Sequence, residues 1–378
     1  MFRKSLLVSF FLLSMISASA SPVLVFIGTY TDDSSSQGIY SFRFNPADGT
    51  LTAPVLAAAA RNPTFLALHP DGRHLYAGGE LSPPAAPKTG GVGAYAIDAA
   101  AGKLTLLNQQ PTGDGATTHL VVDATGRMVI AVSYGGAYVC ALPVKDGGGL
   151  GERSAFLKPT GPLGPNHDRQ DQPHAHSVTL SRDNRFAFVC DLGLDRVFSF
   201  RLNPEHATLT PNDPPFATVP PGAGPRHSKF SADARFFYVV DEMGGSVCVF
   251  AYDAARGALT LKQTIPTLPA DFHELNTSAE IRIHPNGRFV YASNRGHDSI
   301  AVFARDAQTG LLALVEIVPC GGKHPRNFAL SPDGNWLLCA NRDTNDVVVF
   351  RVDPATGRLA LTKNSVTIGK PVCVLFCE

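Results

Sequence analysis

The chain repeats itself with a period of about fifty residues, and that period restricts the fold more than any other feature. Each unit opens with an apolar run, a tight turn and a second apolar run. The clearest copies are FLALHPDGRHLYAGG, HLVVDATGRMVIAVS, SVTLSRDNRFAFVCD, SKFSADARFFYVVDE, IRIHPNGRFVYASNR and FALSPDGNWLLCANR. Asp71-Gly72, Asn286-Gly287 and Asp333-Gly334 supply the residues that tolerate the left-handed backbone of a hairpin turn. Asp183-Asn184 is a weaker version of that signal, and Asp233-Ala234 is weaker still. A second alternating hairpin follows each first one, from GIYSFRFNPADGTLT to VVVFRVDPATGRLAL. No segment between them has helical periodicity of useful length.

Seven outer hairpins stand against six complete inner ones. The missing inner hairpin is split between VCVLF at the C-terminus and VLVFIGTY near the N-terminus, and pairing the two closes a ring that has no exposed sheet edge. The expected fold is therefore an all-β, seven-bladed β-propeller with four antiparallel strands per blade. Residues 21–378 form its single domain.

Residues 1–20 read as a secretory signal peptide. Arg3 and Lys4 precede an apolar run from Leu6 to Ile16, and Ala18-Ser19-Ala20 offers a small-residue cleavage site. The run is too short to span a bilayer as a stable helix. Removing Arg3 and Lys4 from 32 basic residues leaves 30, against 32 acidic ones. That balance gives no reason to expect nucleic acid or an anionic membrane as partner. The chain is expected to act as a monomer on a small molecule, in the periplasm or outside the cell. The seven cysteines are odd in number and lack tight C-x-x-C spacing. Cys140, Cys190, Cys248, Cys339 and Cys373 fall inside apolar runs and read as buried thiols, with one or two disulfides left open.

In a propeller blade the start of the innermost strand and the end of the second lie together beside the central channel, opposite the tight turn. Those positions collect a polar set: His119, His174, His176, Arg226, His227, Glu280, Arg326 and Asn327 at strand starts. Tyr30, Glu80, Tyr134, Asp191, Asp241, Glu242, Asn294, Arg295, Asn341 and Arg342 stand at strand ends. The set varies from blade to blade, as a site built once would. Arg73, Arg127, Arg185, Arg235 and Arg288 recur at one place on the turn face and read as local turn contacts.

With these residues in view, the chain resembles the lactonase seven-bladed β-propeller family, which includes bacterial 6-phosphogluconolactonases and fungal carboxymuconate cyclases. RQDQPHAHSV at 169–178, GPRHSKFSADARFFYVVDE at 224–242, TSAEIRIHPNGRFVYASNRGHDSIAVF at 277–303 and HPRNFALSPDGNWLLCANRDTNDVVVF at 324–350 carry the resemblance. It implies a catalytic group of His176, Arg226, Glu242 and Arg295. From the polar set, His119, His174, Glu280, Asn294, Arg326 and Asn341 are the candidate substrate-binding residues. The sequence departs from the family pattern at Gly78-Gly79, around TGDGATTHL, and at Gly244-Gly245, which puts substrate shape in question.

Hydrolysis of a small sugar-derived lactone is the reaction implied, with Glu242 or His176 activating water and the arginines clamping an anion. An exported protein would meet an unphosphorylated aldonolactone more readily than a cytoplasmic phosphosugar. Two alternatives stay open: a cyclase-like lactonising enzyme, and a non-catalytic propeller that binds a ligand or protein. No cofactor is expected. A metal would need His174 and His176 to share an ion with a third ligand such as Asp191, and no metal site is assigned.

Overall fold

The computed structural model describes residues 21–81 and 89–377, so the expected signal peptide at 1–20 lies outside the described residues. Twenty-eight strands, numbered β1 to β28 along the chain, form seven four-stranded antiparallel sheets, and no helix occurs among the described residues. The innermost strands are β28 (Pro371–Cys377), β4 (Arg61–Leu68), β8 (His119–Val122), β12 (Ala175–Leu180), β16 (Pro225–Phe230), β20 (Thr277–Ile283) and β24 (Pro325–Leu330). Each touches the next, and β24 touches β28, so the ring closes.

Closure runs as the sequence suggests. The last strand, β28, pairs antiparallel with β1 (Val23–Thr29), placing Leu24 opposite Cys377 and Ile27 opposite Val374. Blade 1 is thus made from both ends of the chain, and blades 2 to 7 follow in chain order.

The hydrophobic core is divided into seven clusters, one between each neighbouring pair of blades. The cluster between blades 7 and 1 holds Phe44, Trp336, Leu338, Val347 and Phe376. Strand alternation explains this, because both faces of a blade are covered by its neighbours and each buries an apolar row. All seven cysteines are free, which agrees with the buried-thiol reading.

The tight turns adopt one geometry whether or not they contain glycine. Gly72 and Gly334 have φ of 67° and 74°, while Asn184 and Ala234 take the same place at 57° and 54°. Around each turn the contacts recur. Ser181, Ser231 and Ser331 accept the backbone N–H of Phe186, Phe236 and Trp336 at 2.9–3.0 Å.

The opposite ends of the inner strands are irregular in a way that places function. In blades 4, 5 and 7 one residue is skipped in the pairing of the first and second strands: His176, Arg226 and Arg326. Such a bulge bends the strand and re-aims one side chain. The same irregularity in the closing blade falls at Val372, between Pro371 and Cys373.

Candidate active site

Between the bulged strand starts lies an open cavity of about 570 Å³. Its wall includes His176, Glu242, Arg169, Arg295 and Arg326, together with Tyr30, Asn62, Glu80, Thr117, Thr118 and Tyr134. Glu242 sits at its floor, one residue beyond β17 (Phe236–Asp241), with its backbone N–H donating to Gly224 O at 2.7 Å.

The Glu242 carboxylate is buried and surrounded by cations. Arg226 Nε and Arg295 Nη2 each lie 2.9 Å from Oε2, and Arg169 Nη2 donates to Oε1. Two of these arginines are themselves anchored to backbone carbonyls. Arg226 Nη1 donates to Ala279 O at 2.6 Å, and Arg295 Nε donates to Thr277 O at 2.9 Å. Burial alone would raise the carboxyl's proton affinity, but the charges of Arg295 and Arg226, helped by the hydrogen bond from Arg169, more than offset it. Glu242 is held well below the usual carboxylate range and is therefore an anion at neutral pH.

His176 is the reverse case. Its Nε2 lies 3.9 Å from Glu242 Oε2, too far for a hydrogen bond, and its Nδ1 is buried without a hydrogen-bond partner among the described residues. Burial, followed by the charge of Arg226 and the neighbouring His227, pushes its proton affinity well below that of free histidine, against the pull of Glu242. The imidazole is neutral at pH 7. Tyr134 braces it edge-on at a centroid distance of 5.7 Å, while the other histidine of the pair, His174, stacks on the Tyr134 ring at 3.9 Å.

The wall around Asn62 and Glu80 is polar. Asn62 donates to Asp32 Oδ2 at 2.8 Å and to Glu80 Oε1 at 2.9 Å, and Arg61 Nε lies 2.9 Å from Glu80 Oε2. Gly79 explains one departure from the family pattern. A Cβ there would come within 2.3 Å of Asn62 O, so this wall forms only because residue 79 has no side chain.

Of the ten candidate residues, the structure brings His176, Glu242, Arg295 and Arg326 to the cavity wall. Arg226 lies beneath, against Glu242. The other five do not line the cavity. His119 and Glu280 belong to a buried layer that plugs the channel below it. There Glu280 Oε2 is 3.1 Å from His227 Nδ1 and accepts from Asn327 Nδ2, and His119 packs against Phe65 at 3.8 Å. Asn294 and Asn341 tie strands together. Asn294 binds Thr267 and Ser278, and Asn341 donates to Asp346 Oδ1 at 3.0 Å. Strand parity alone places these residues at the right end of the blade, but it does not resolve depth along the channel.

His174 is also displaced from the expected arrangement. Its Nδ1 bonds Tyr134 O and its Nε2 bonds Asp171 Oδ1, both at 2.9 Å, while Asp191 Oδ1 accepts the His174 backbone N–H. The bulge at His176 separates the two rings, and neither nitrogen of His174 is left for a shared ion. Among the described residues the one cluster with metal-like spacing is His69, Asp71 and His74, on the turn face. There His69 Nε2 donates to Gly126 O and Nδ1 accepts the Asp71 N–H, a pattern that His284 repeats with Gly334 O and the Asn286 N–H. A contact repeated between blades is scaffold.

Residue-level reading missed Arg169, Asn62, Thr117 and Thr118. Arg169 lies on the long connection before β12, outside the repeat, although it opens the RQDQPHAHSV stretch that carries His176. Asn62 and the threonines come from segments of the looser second and third blades.

Fold and pocket together define a seven-bladed propeller with a carboxylate, a histidine and an arginine cluster at one channel mouth. The profile of the family described as "Lactonase, 7-bladed beta-propeller" matches residues 24–376. The chain is 36% identical over 351 residues to a 6-phosphogluconolactonase of Bacillus subtilis, covering 93% of this chain and 97% of that one. It is 32% identical over 310 residues to a 6-phosphogluconolactonase of Formosa agariphila, covering 81% and 86%. Among solved structures it superimposes on the periplasmic gluconolactonase of Pseudomonas aeruginosa with a TM-score of 0.89 at 35% identity, covering 95% and 99%. The chain belongs to the lactonase seven-bladed β-propeller family, and its activity is that of a lactone hydrolase.

Proposed function

We propose that this lactonase opens a small, unphosphorylated sugar lactone with His176 as the general base. The observation that carries the reading is the pairing of a neutral imidazole with a carboxylate fixed as an anion beside it. Glu242 is a poor base, because three guanidinium groups hold its electrons. His176 has the free lone pair, and its conjugate acid would form next to a carboxylate that stabilises it.

In the reaction, a water oxygen bonds to the lactone carbonyl carbon while its proton passes to His176. The carbonyl oxygen becomes an oxyanion facing the arginines of the wall. The tetrahedral adduct then collapses, the ring C–O bond breaks, and His176 returns its proton to the departing alkoxide. The product hydroxy acid ionises, so the balance is lactone plus water to hydroxycarboxylate plus one proton.

The substrate reading draws on the leader at residues 1–20 and on the Pseudomonas relative, whose name places it in the periplasm and on gluconolactone. An exported enzyme would act on an aldonolactone rather than on the phosphorylated lactone named for the Bacillus relative. The test is acid release from a panel of phosphorylated and unphosphorylated sugar lactones by residues 21–378, with and without chelator. Turnover of aldonolactones that chelator spares supports the proposal; preference for 6-phosphogluconolactone would reassign the substrate.

A further inference from the structure

The arginines around the cavity are not equivalent. A guanidinium grips a carboxylate through two adjacent N–H groups, either the Nε/Nη2 pair or the Nη1/Nη2 pair. Both pairs use Nη2. In Arg169 that nitrogen donates to Glu242 and lies 3.5 Å from the Tyr134 hydroxyl. In Arg295 it lies 2.9 Å from Glu242 and donates to Ser278 O at 3.2 Å. Arg226 is off the wall and bound to Glu242 and Ala279.

Arg326 differs from all three. It lines the cavity, and among the described residues its guanidinium has no hydrogen bond or ion pair. Its one directed contact is to the face of Tyr30, 5.4 Å from the ring centroid, which steadies the guanidinium and leaves its N–H edges unused. The bulge between Pro325 and Asn327 is what turns it into the cavity. Its charge is also uncompensated, and it lowers the proton affinity of Arg226, Arg295 and His176 nearby. An unpaired cation beside two others is an arrangement that stability does not favour.

We propose that Arg326 is the anion receptor of the site, taking the lactone carbonyl oxygen as it becomes an oxyanion and then gripping the product carboxylate. Arg226, Arg295 and Arg169 serve instead to fix Glu242. This rests on the hydrolytic reading for the oxyanion, whereas the carboxylate grip is testable without turnover. The family resemblance assigns the anion clamp to Arg226 and Arg295, so the two accounts separate.

The experiment is calorimetric titration of D-gluconate into residues 21–378, beside lactone hydrolysis, for the wild type, Arg326→Ala, Arg326→Lys and Arg295→Lys. Arg326→Ala is expected to weaken gluconate binding at least about 10-fold and to lower kcat/KM by about 10²–10³. Its melting temperature should stay near that of the wild type, since no hydrogen bond is lost. Arg326→Lys should fall between, having the charge without the fork, and added guanidinium ion should partly restore Arg326→Ala. Gluconate binding that survives in Arg326→Ala, or a wild type that binds no gluconate, overturns the proposal. If the wild type opens no lactone yet binds gluconate through Arg326, the hydrolytic reading fails and the receptor assignment stands.

Discussion

The two ends of the inner strands are built on opposite principles. At the turn end the blades repeat one another: the Asp183, Asp233 and Asp333 carboxylates each accept from the preceding serine, at 2.5–2.6 Å. At the cavity end the blades differ: in ring order they contribute Tyr30, Asn62, Thr118, His176, Arg226, Thr277 and Arg326, five residue types over seven blades. A contact that recurs in every blade supports the ring, and a contact made once serves a purpose the ring does not need. The uncompensated charge of Arg326 and the unpartnered Nδ1 of His176 both lie at the second end.

The comparison breaks first, and most visibly, at Glu242. Glu242→Gln removes the anion that three arginines share, and kcat/KM should fall about 10³-fold or more. The protein should also lose about 3 kcal/mol of stability, because Arg226 is left buried and unpaired. Urea unfolding and lactone hydrolysis measure the two effects. Asp233→Ala at the turn end should cost about 1–2 kcal/mol with kcat/KM unchanged. Loss of activity in that variant without unfolding would dissolve the distinction.

The pH profile sharpens the same contrast. Only neutral His176 can act as base, and its proton affinity is depressed by burial first and then by Arg226. The acid limb of kcat/KM should therefore lie below pH 6.5, where an ordinary histidine would place it. A limb at or above that pH would mean that the histidine is exposed or is not the base.

A smaller effect concerns Asp241. Its Oδ1 is buried without a hydrogen-bond partner among the described residues, and burial pushes its carboxyl up to about 7, against hydrogen bonds from Cys248 and Ser246. The corresponding residues of blades 6 and 7 are Asn294 and Asn341, whose amides donate to Thr267 O and Cys320 O of the preceding blade. The native state thus holds a proton that the unfolded chain, with the ordinary carboxylate value of 3.8, has released, and stability falls as pH rises between the two values. Asp241→Asn removes that dependence. Stabilisation on the order of 2 kcal/mol is expected at pH 8, shrinking towards pH 4. Smallest of all, Ala234→Gly should add about 1 kcal/mol by relieving a left-handed alanine at φ 54°.

Much of this architecture is legible in the letters because a propeller writes each blade separately. The split blade is visible as one missing hairpin, and the closure of β28 on β1 follows from it. His176, Glu242 and Arg295 are legible through family-like stretches, and Arg326 through its place at a strand start. Depth is what the letters hide. His119 stands four residues before Asp123 and pairs with Val132, whereas His176 stands five before Ser181 and is skipped in the pairing, so the first packs against Phe65 in the channel plug and the second reaches the cavity. Grouping both as strand-start histidines loses that one-residue offset, and no residue type in the HAHS stretch marks where pairing will skip. Arg169 is hidden for another reason: its loop lies outside the repeat, so no blade geometry assigns it a position.

The most direct measurement is kcat/KM for D-glucono-δ-lactone, corrected for its spontaneous opening, in the wild type and in His176→Gln. The account predicts a fall of about 10²–10⁴-fold in the variant with the fold retained. A His176→Gln enzyme that is folded and as active as the wild type would contradict it, and the base would then have to be sought elsewhere on the wall.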